Sequence, residues 1–234
     1  MQGKLYLIPS LLHPEAELAT LSPQVIEAVC RIKHYIVETP KTARAFIKKC
    51  NPQTNFNEVV IYELNEHTLP NELTDFLTAI RLGHDVGLMS DAGLPCTADP
   101  GAKAVAIAHQ KNVIVFPLTG PSSIYLSLMA SGLNGQNFMF HGYLPIEKIA
   151  RTQKIKELEK LSQQHKSTQI FIETPYRNNS MLQDLTNNLK SLTRLCVAYN
   201  LQGPEETIIT NTIEKWKEKL PDIHKKPAIF LFQT

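Results

Sequence analysis

The chain has 234 residues, a formal net charge of +2 and 43% hydrophobic content. A chain this long and this apolar buries a true core, which excludes disordered and low-complexity proteins. A near-neutral total gives no strong field, so composition neither announces a nucleic-acid binder nor excludes one with a local basic patch.

The first apolar run, Leu5 to Ile8, is too short for a signal peptide and predicts a strand at Lys4–Ile8. Ser22-Pro23 then opens a helix, because serine caps well and a proline at the first helical position loses no needed N–H. Val25, Ile26, Val29 and Ile32 repeat behind it at helical spacing. Strands follow at His34–Val37, Glu58–Glu63, Asp85–Met89 and Val113–Phe116, with helices at Asn71–Leu82 and Gly101–Gln110. Beyond them come a helix at Ser122–Ser131, a strand at Phe138–Phe140, a helix at Glu147–Gln164, a strand at Thr168–Ile172 and a helix at Tyr176–Leu189. The last strands are predicted at Arg194–Ala198, Glu206–Thr210 and Ala228–Phe232. This alternation predicts α/β architecture, with parallel sheets covered by helices on both faces. The turn at Pro117 to Pro121 divides it into two α/β domains, residues 1–117 and 118–234, with ligand binding expected between them. The charged runs Glu147–Lys166 and Lys215–Lys226 read as solvated helix faces.

No stretch reaches the roughly 18 to 20 apolar residues that span a bilayer, so no membrane association is expected. Cys30, Cys50, Cys96 and Cys196 are scattered, without metal-ligand spacing. No metal is expected, and free thiols suit a reducing cytoplasm.

Three loops carry candidate chemistry. Ser90 to Gly101 follows the apolar strand ending at Met89, where open α/β sheets bind ligands. Its small residues let a ligand approach the backbone, and Asp91 and Asp99 offer acceptors for a hydroxyl or ammonium group. The plainer alternative is that Asp91 begins a turn and Asp99-Pro100 caps the next helix. Thr119 to Ser123 places N–H groups and two hydroxyls at a helix start, suited to an anion or polar ligand edge, or simply to a capping turn. Ile172 to Arg177 also follows a strand. The sequence lacks GxxxxGK(S/T), a GxGxxG after the first strand, HExxH and GxSxG. His13 and His141 read as cleft-facing or, more simply, as surface or core-edge side chains.

Ser90-Asp91-Ala92-Gly93-Leu94-Pro95 with Asp99-Pro100-Gly101 resembles the SDAGxPxxxDPG signature of class III S-adenosylmethionine methyltransferases, those of tetrapyrrole-methylase fold. Within them the chain is most similar to the ribosomal RNA small-subunit methyltransferase I group. Gly120-Pro121-Ser122-Ser123, Ala130-Ser131-Gly132-Leu133, Phe138–Pro145, Glu173-Thr174-Pro175-Tyr176-Arg177 and Glu205-Glu206 match that group's segments in order over nearly the whole chain. The resemblance implies two αβα domains with S-adenosylmethionine in the cleft between them, S-adenosylhomocysteine as product, a homodimer and a ribosomal RNA substrate. It implies cofactor contacts at Pro9, Ser90, Asp91, Ala92, Leu94, Ser122, Ser123, Glu173, Thr174, Tyr199 and Ala228.

There are departures. The group's TPIGNL-like first loop is Pro9-Ser10-Leu11-Leu12-His13-Pro14 here, and its EDTRxT is Glu38-Thr39-Pro40-Lys41-Thr42, without the Asp-Arg pair. The late ReLTK-like stretch is Ala198 to Gln202. The cofactor loops are therefore better kept than those expected to meet substrate. Sulfonium methyl transfer is an in-line displacement that needs positioning rather than a metal. A ribose hydroxyl acceptor must also lose its proton, for which Glu38, Glu173 and His13 are the candidate groups. The expected activity is 2′-O-methylation of a ribose in small-subunit ribosomal RNA or a related RNA. The alternatives are a precorrin-like tetrapyrrole methyltransferase and a cofactor-binding module without catalysis. Phosphate contacts would come from local clusters, Lys41, Arg44, Lys48 and Lys49, or Lys148, Arg151, Lys154 and Lys156.

Overall fold

Short β-branched runs separated by amphipathic helices build two α/β units, Met1–Ser122 and Ser123–Thr234. The computed structural model describes residues 2–65, 68 and 77–234.

In the first unit five strands lie in the order β3-β2-β4-β1-β5, all parallel. They are β1 (Leu5–Leu7), β2 (His34–Val37), β3 (Val60–Glu63), β4 (Val86–Met89) and β5 (Val115–Pro117). Every residue of β4 is buried, as an inner parallel strand requires. Helices α1 (Pro23–Arg31), α2 (Pro40–Cys50), α3 (Thr78–Arg81) and α4 (Ala102–Gln110) connect them. Two clusters of buried side chains fill the unit, one around Val25, Val29, Tyr35 and Ile47, the other around Leu5, Ile36, Ile80 and Leu88. Each fully buried side chain of this size stabilises the fold by roughly 1.5–3 kcal/mol. Half of the helix expected at Asn71–Leu82 lies outside the described residues, and α3 falls within the other half.

Helix α2 stands where the sequence predicted no element between the strands at His34–Val37 and Glu58–Glu63. Pro40 occupies its first turn, as Pro23 does in α1, and Ala43, Phe46 and Ile47 bury one face. The Ser22 hydroxyl makes no cap; it points to the Thr119 carbonyl at 3.4 Å instead.

The second unit has strands β6 (Phe138–Tyr143), β7 (Thr168–Glu173), β8 (Arg194–Tyr199), β9 (Thr207–Thr212) and β10 (Ala228–Gln233). Their order is β6-β7-β10-β8-β9. Only β6 and β7 are parallel; β10 runs antiparallel to β7 and β8, and β8 to β9. This corrects the expectation of a parallel second sheet. The connection from β8 to β9 is too short for a crossover, so the strand must turn back. Helices α5 (Ser123–Ser131), α6 (Lys148–His165), α7 (Asn178–Asn188) and α8 (Ile213–Trp216) complete the unit. Phe171, Phe230 and Phe232 are fully buried at its centre, with Phe171 and Phe230 stacked 5.6 Å apart.

Helix α6 carries most of its charges on a solvated face, as expected, with two exceptions. Arg151 and Glu159 are buried. The Arg151 guanidinium bonds Asp184 Oδ2 at 2.6 and 2.7 Å and the Ile146 carbonyl at 2.6 Å. Glu159 accepts from the Thr193 hydroxyl and the Lys190 N–H. Among the described residues no helix is long and apolar enough to cross a membrane.

Candidate active site

A parallel sheet puts the carboxyl ends of all its strands on one edge, and there the first unit gathers its candidate residues. The loop after β1 is joined to the loop after β4: Ser10 N–H donates to the Gly93 carbonyl at 2.9 Å and its hydroxyl to the Ser90 carbonyl at 3.2 Å. Gly93 has φ +73°, a conformation open to glycine, and a Cβ there would lie 2.8 Å from Leu12 Cδ2 and 3.2 Å from the Pro121 carbonyl oxygen. Gly120 packs flat on Pro9, with an added Cβ only 2.2 Å from Pro9 Cβ. Pro9, the Ser90–Gly93 turn and Gly120-Pro121 thus form one interlocked group. Ser122 is buried, whereas Asp91 and Ala92 are exposed. Ser123 is the first residue of α5 in the second unit.

The loop after β2 joins the same edge. Thr39 Oγ1 donates to Asp91 Oδ2 at 2.7 Å. Glu38, half-buried beside them, has its carboxyl pushed above the usual range, first by burial and then by the charges of Asp91 and Asp99. Asp99 is raised by burial too, although its Oδ1 accepts the Gly101 N–H at 2.7 Å. Its Oδ2 is buried and has no hydrogen-bond partner among the described residues. Glu38, Asp99, Leu64, Met89 and Pro100 line a cavity of about 10 Å³. Asp99 therefore makes the turn of the plainer reading but not the helix cap, since the N-cap Gly101 of α4 has no side-chain cap, and its second oxygen has no partner among the described residues. Sequence reasoning missed Thr39, whose one signal was its place just ahead of a helix-opening proline.

His13 lies on the first loop, where its Nδ1 accepts the Glu15 N–H at 3.1 Å. That bond puts the proton of the neutral ring on Nε2 and occupies the nitrogen that would take another. His141 sits at a core edge, its ring bonded to Gln169 Oε1 at 2.7 Å.

In the second unit the antiparallel β10 brings its first residue between two carboxyl-terminal strand ends. Ala228 pairs with Glu173 on one side and Tyr199 on the other. Three residues far apart in the chain so become neighbours on one edge. Glu173 is 4% exposed, and its Oε1 accepts the Thr174 N–H at 2.6 Å and the Arg177 guanidinium at 2.5 and 3.0 Å. This carboxylate is committed to an ion pair rather than poised as a base. Lys226 reaches over the Tyr199 ring at 5.3 Å and pairs with Glu205 at 2.8 Å. Among the described residues no group of acidic, histidine and cysteine side chains is arranged to hold a metal.

S-Adenosylmethionine carries a positive sulfonium beside its amino-acid zwitterion. An edge with three carboxylates, an exposed small residue at Ala92 and glycine turns at close packing distance suits that cation. The residues present therefore fit the group.

No protein-family model matches the chain. Solved structures of similar fold include the methyltransferase CobJ, with a TM-score of 0.66 at 13% identity over 99% of this chain and 94% of that one. Cobalt precorrin-4 methyltransferase gives 0.64 at 16%, covering 98% and 94%. The uroporphyrin-III C-methyltransferase of Thermus thermophilus complexed with S-adenosylhomocysteine gives 0.61 at 13%, covering 99% and 97%. These likenesses show the tetrapyrrole-methylase fold. The sequence relatives are named ribosomal RNA small subunit methyltransferase I. That of Vibrio cholerae is 31% identical over 87% of this chain and 67% of its own length. That of Halalkalibacterium halodurans is 29% identical over 79% and 60%, and that of Synechocystis 27% over 91% and 72%. The chain thus spans about two thirds of the length of the curated relatives it matches. It belongs to the ribosomal RNA small subunit methyltransferase I family, and with it to the S-adenosylmethionine-dependent methyltransferases.

Proposed function

We propose that the chain methylates the 2′-oxygen of a ribose in small-subunit ribosomal RNA. The observation that carries this reading is the edge formed by Pro9, Ser90–Gly93, Thr39 and Glu38, whose acids suit a cationic methyl donor, in a chain whose relatives carry that RNA in their names. When bound, S-adenosylmethionine supplies an electrophilic methyl with a neutral thioether as leaving group.

The chain's own residues position and deprotonate. Pro9, Ser90, Asp91, Ala92, Leu94 and Ser122 are the proposed cofactor contacts of the first unit. Ser123, Thr174, Tyr199 and Ala228 are those of the second. Glu173, held by Arg177, belongs with this positioning set. Glu38 is the proposed general base. Its raised pKa brings it toward the operating pH, which favours proton transfer from a ribose hydroxyl at the carboxylate oxygen. Glu173 and His13 fit that role less well, because their acceptor atoms are already engaged.

A homodimer in the cytoplasm completes the reading. The four described cysteines are free thiols, which suits a reducing compartment, and light scattering of the purified chain tests the dimer. The activity is tested by incubating the chain with methyl-labelled S-adenosylmethionine and either unmodified small-subunit RNA or a precorrin. Label on the RNA supports the proposal. Label on the precorrin, or on neither, overturns it.

A further inference from the structure

The chain must hold a polyanion with a net charge of only +2, so its free cations have to be found one by one. The structure removes three of the eight cluster cations named from the sequence. Arg151 is buried against Asp184, and Lys154 pairs with Glu157 at 2.8 Å. On α2, Lys49 Nζ donates to the carbonyls of Pro14 and Ala16 at 2.8 and 2.7 Å, pinning the helix to the first loop. Lys148 and Lys156 stay exposed on α6, whereas Lys41, Arg44 and Lys48 share α2, the helix that follows Glu38 and Thr39.

These three stand at i, i+3 and i+7 and are all exposed, opposite the buried face of Ala43, Phe46 and Ile47. Helix α2 contains no acidic residue. Arg44 lies over the Phe56 ring at 5.5 Å, which holds its guanidinium at the surface. Neither Lys41 nor Lys48 has an ion pair or hydrogen bond among the described residues. Lys41 sits in the first helical turn, which holds no acidic residue. The helix dipole disfavours a cation there, so local stability does not explain it. The rise from Lys41 to Lys48 is about 10 Å, and the Debye length at 0.1 M salt is also about 10 Å. The three charges therefore act as one stripe. The stripe begins beside the candidate active site, because Thr39, the residue before α2, bonds Asp91.

We propose that Lys41, Arg44 and Lys48 form the track that binds the phosphate backbone of the RNA substrate and leads it to the Glu38–Asp91 edge. The inference rests on the proposed RNA activity, yet it is read by binding rather than turnover.

The experiment measures binding of the purified chain to a small-subunit RNA fragment across a range of salt concentrations. The triple variant Lys41→Gln, Arg44→Gln, Lys48→Gln is compared with the wild type and with Lys154→Gln. Glutamine keeps helix propensity close to that of lysine and arginine. The triple variant should lose about 0.7–0.9 units of log–log salt slope per removed contact, and on the order of a hundredfold in affinity at 0.1 M salt. Lys154→Gln should behave as wild type, and calorimetric S-adenosylmethionine binding should be equal in all three proteins. An unchanged salt slope in the triple variant overturns the track, as does an equal loss in Lys154→Gln or wild-type protein that binds no RNA. Wild-type protein that binds RNA through this stripe yet transfers no methyl leaves the track standing and removes the activity.

Discussion

Replacing Gly120 by alanine tests whether the loops after β1 and β5 form one rigid edge. The new Cβ would sit 2.2 Å from Pro9 Cβ and 2.5 Å from Pro9 Cγ, where ordinary contact begins at 3.4 Å. Pro9 is buried and its ring cannot swing aside. One loop must therefore move by about 1.2 Å, the gap between 2.2 and 3.4 Å. Overpacking of this kind costs about 1–3 kcal/mol. In a chain of this size that lowers the melting midpoint by roughly 2 to 12 °C. Misplacing positioning groups by about 1 Å costs about a hundredfold in rate, so kcat/KM should fall by that order even where the variant is folded. Gly135→Ala is the control, since a Cβ there meets nothing within 4 Å. The assays are differential scanning calorimetry, titration with S-adenosylmethionine and initial rates. Wild-type cofactor affinity and rate in Gly120→Ala would refute the interlocked edge.

Three further changes probe other parts of the account. Glu38→Gln should lower kcat about 10²–10⁴-fold and flatten the acid limb of the pH–rate profile; an unchanged profile removes Glu38 as base. Burial raises the folded pKa of Glu38 above 4.5, so its ionisation costs stability as pH rises through that folded value. The same variant should thus be at least as stable as wild type at pH 7, read by thermal melts. Arg151→Ala strands the buried Asp184 carboxylate and should cost roughly 3–5 kcal/mol, seen as a lower denaturant midpoint; a loss well below 1 kcal/mol contradicts a buried pair. Asp91→Asn removes a charge from the acidic edge and the Thr39 bond's ionic character, so S-adenosylmethionine affinity should drop more than S-adenosylhomocysteine affinity. Equal effects on the two would show that the charge at Asp91 does not read the sulfonium.

Much of the fold was legible because its signals are local. His34–Val37 is the strand its β-branched run announces, and the Ser90–Gly101 turn stands at the end of an all-buried strand. Strand direction in the second sheet was not legible. A run such as Ala228 to Phe232 is apolar throughout, and its antiparallel pairing depends on partners 29 to 63 residues earlier in the chain. The same holds for charge. Arg151 looked like a surface cation because Asp184 lies 33 residues further on. Helix α2 could have been found, since Thr39-Pro40 repeats the signal that located α1 at Ser22-Pro23. In the second unit the Ile172–Arg177 loop was legible from its place after a strand, but Tyr199 and Ala228 were reached only through resemblance, because no local pattern says that Ala228 sits between Glu173 and Tyr199.

The central claim is that methyl passes from S-adenosylmethionine to a ribose 2′-oxygen of small-subunit RNA. Alkaline hydrolysis of RNA labelled by the purified chain tests it most directly, because a 2′-O-methyl group protects the adjacent phosphodiester from cleavage. The account predicts label in an alkali-resistant dinucleotide. Label released in a mononucleotide, as a methylated base, would contradict it.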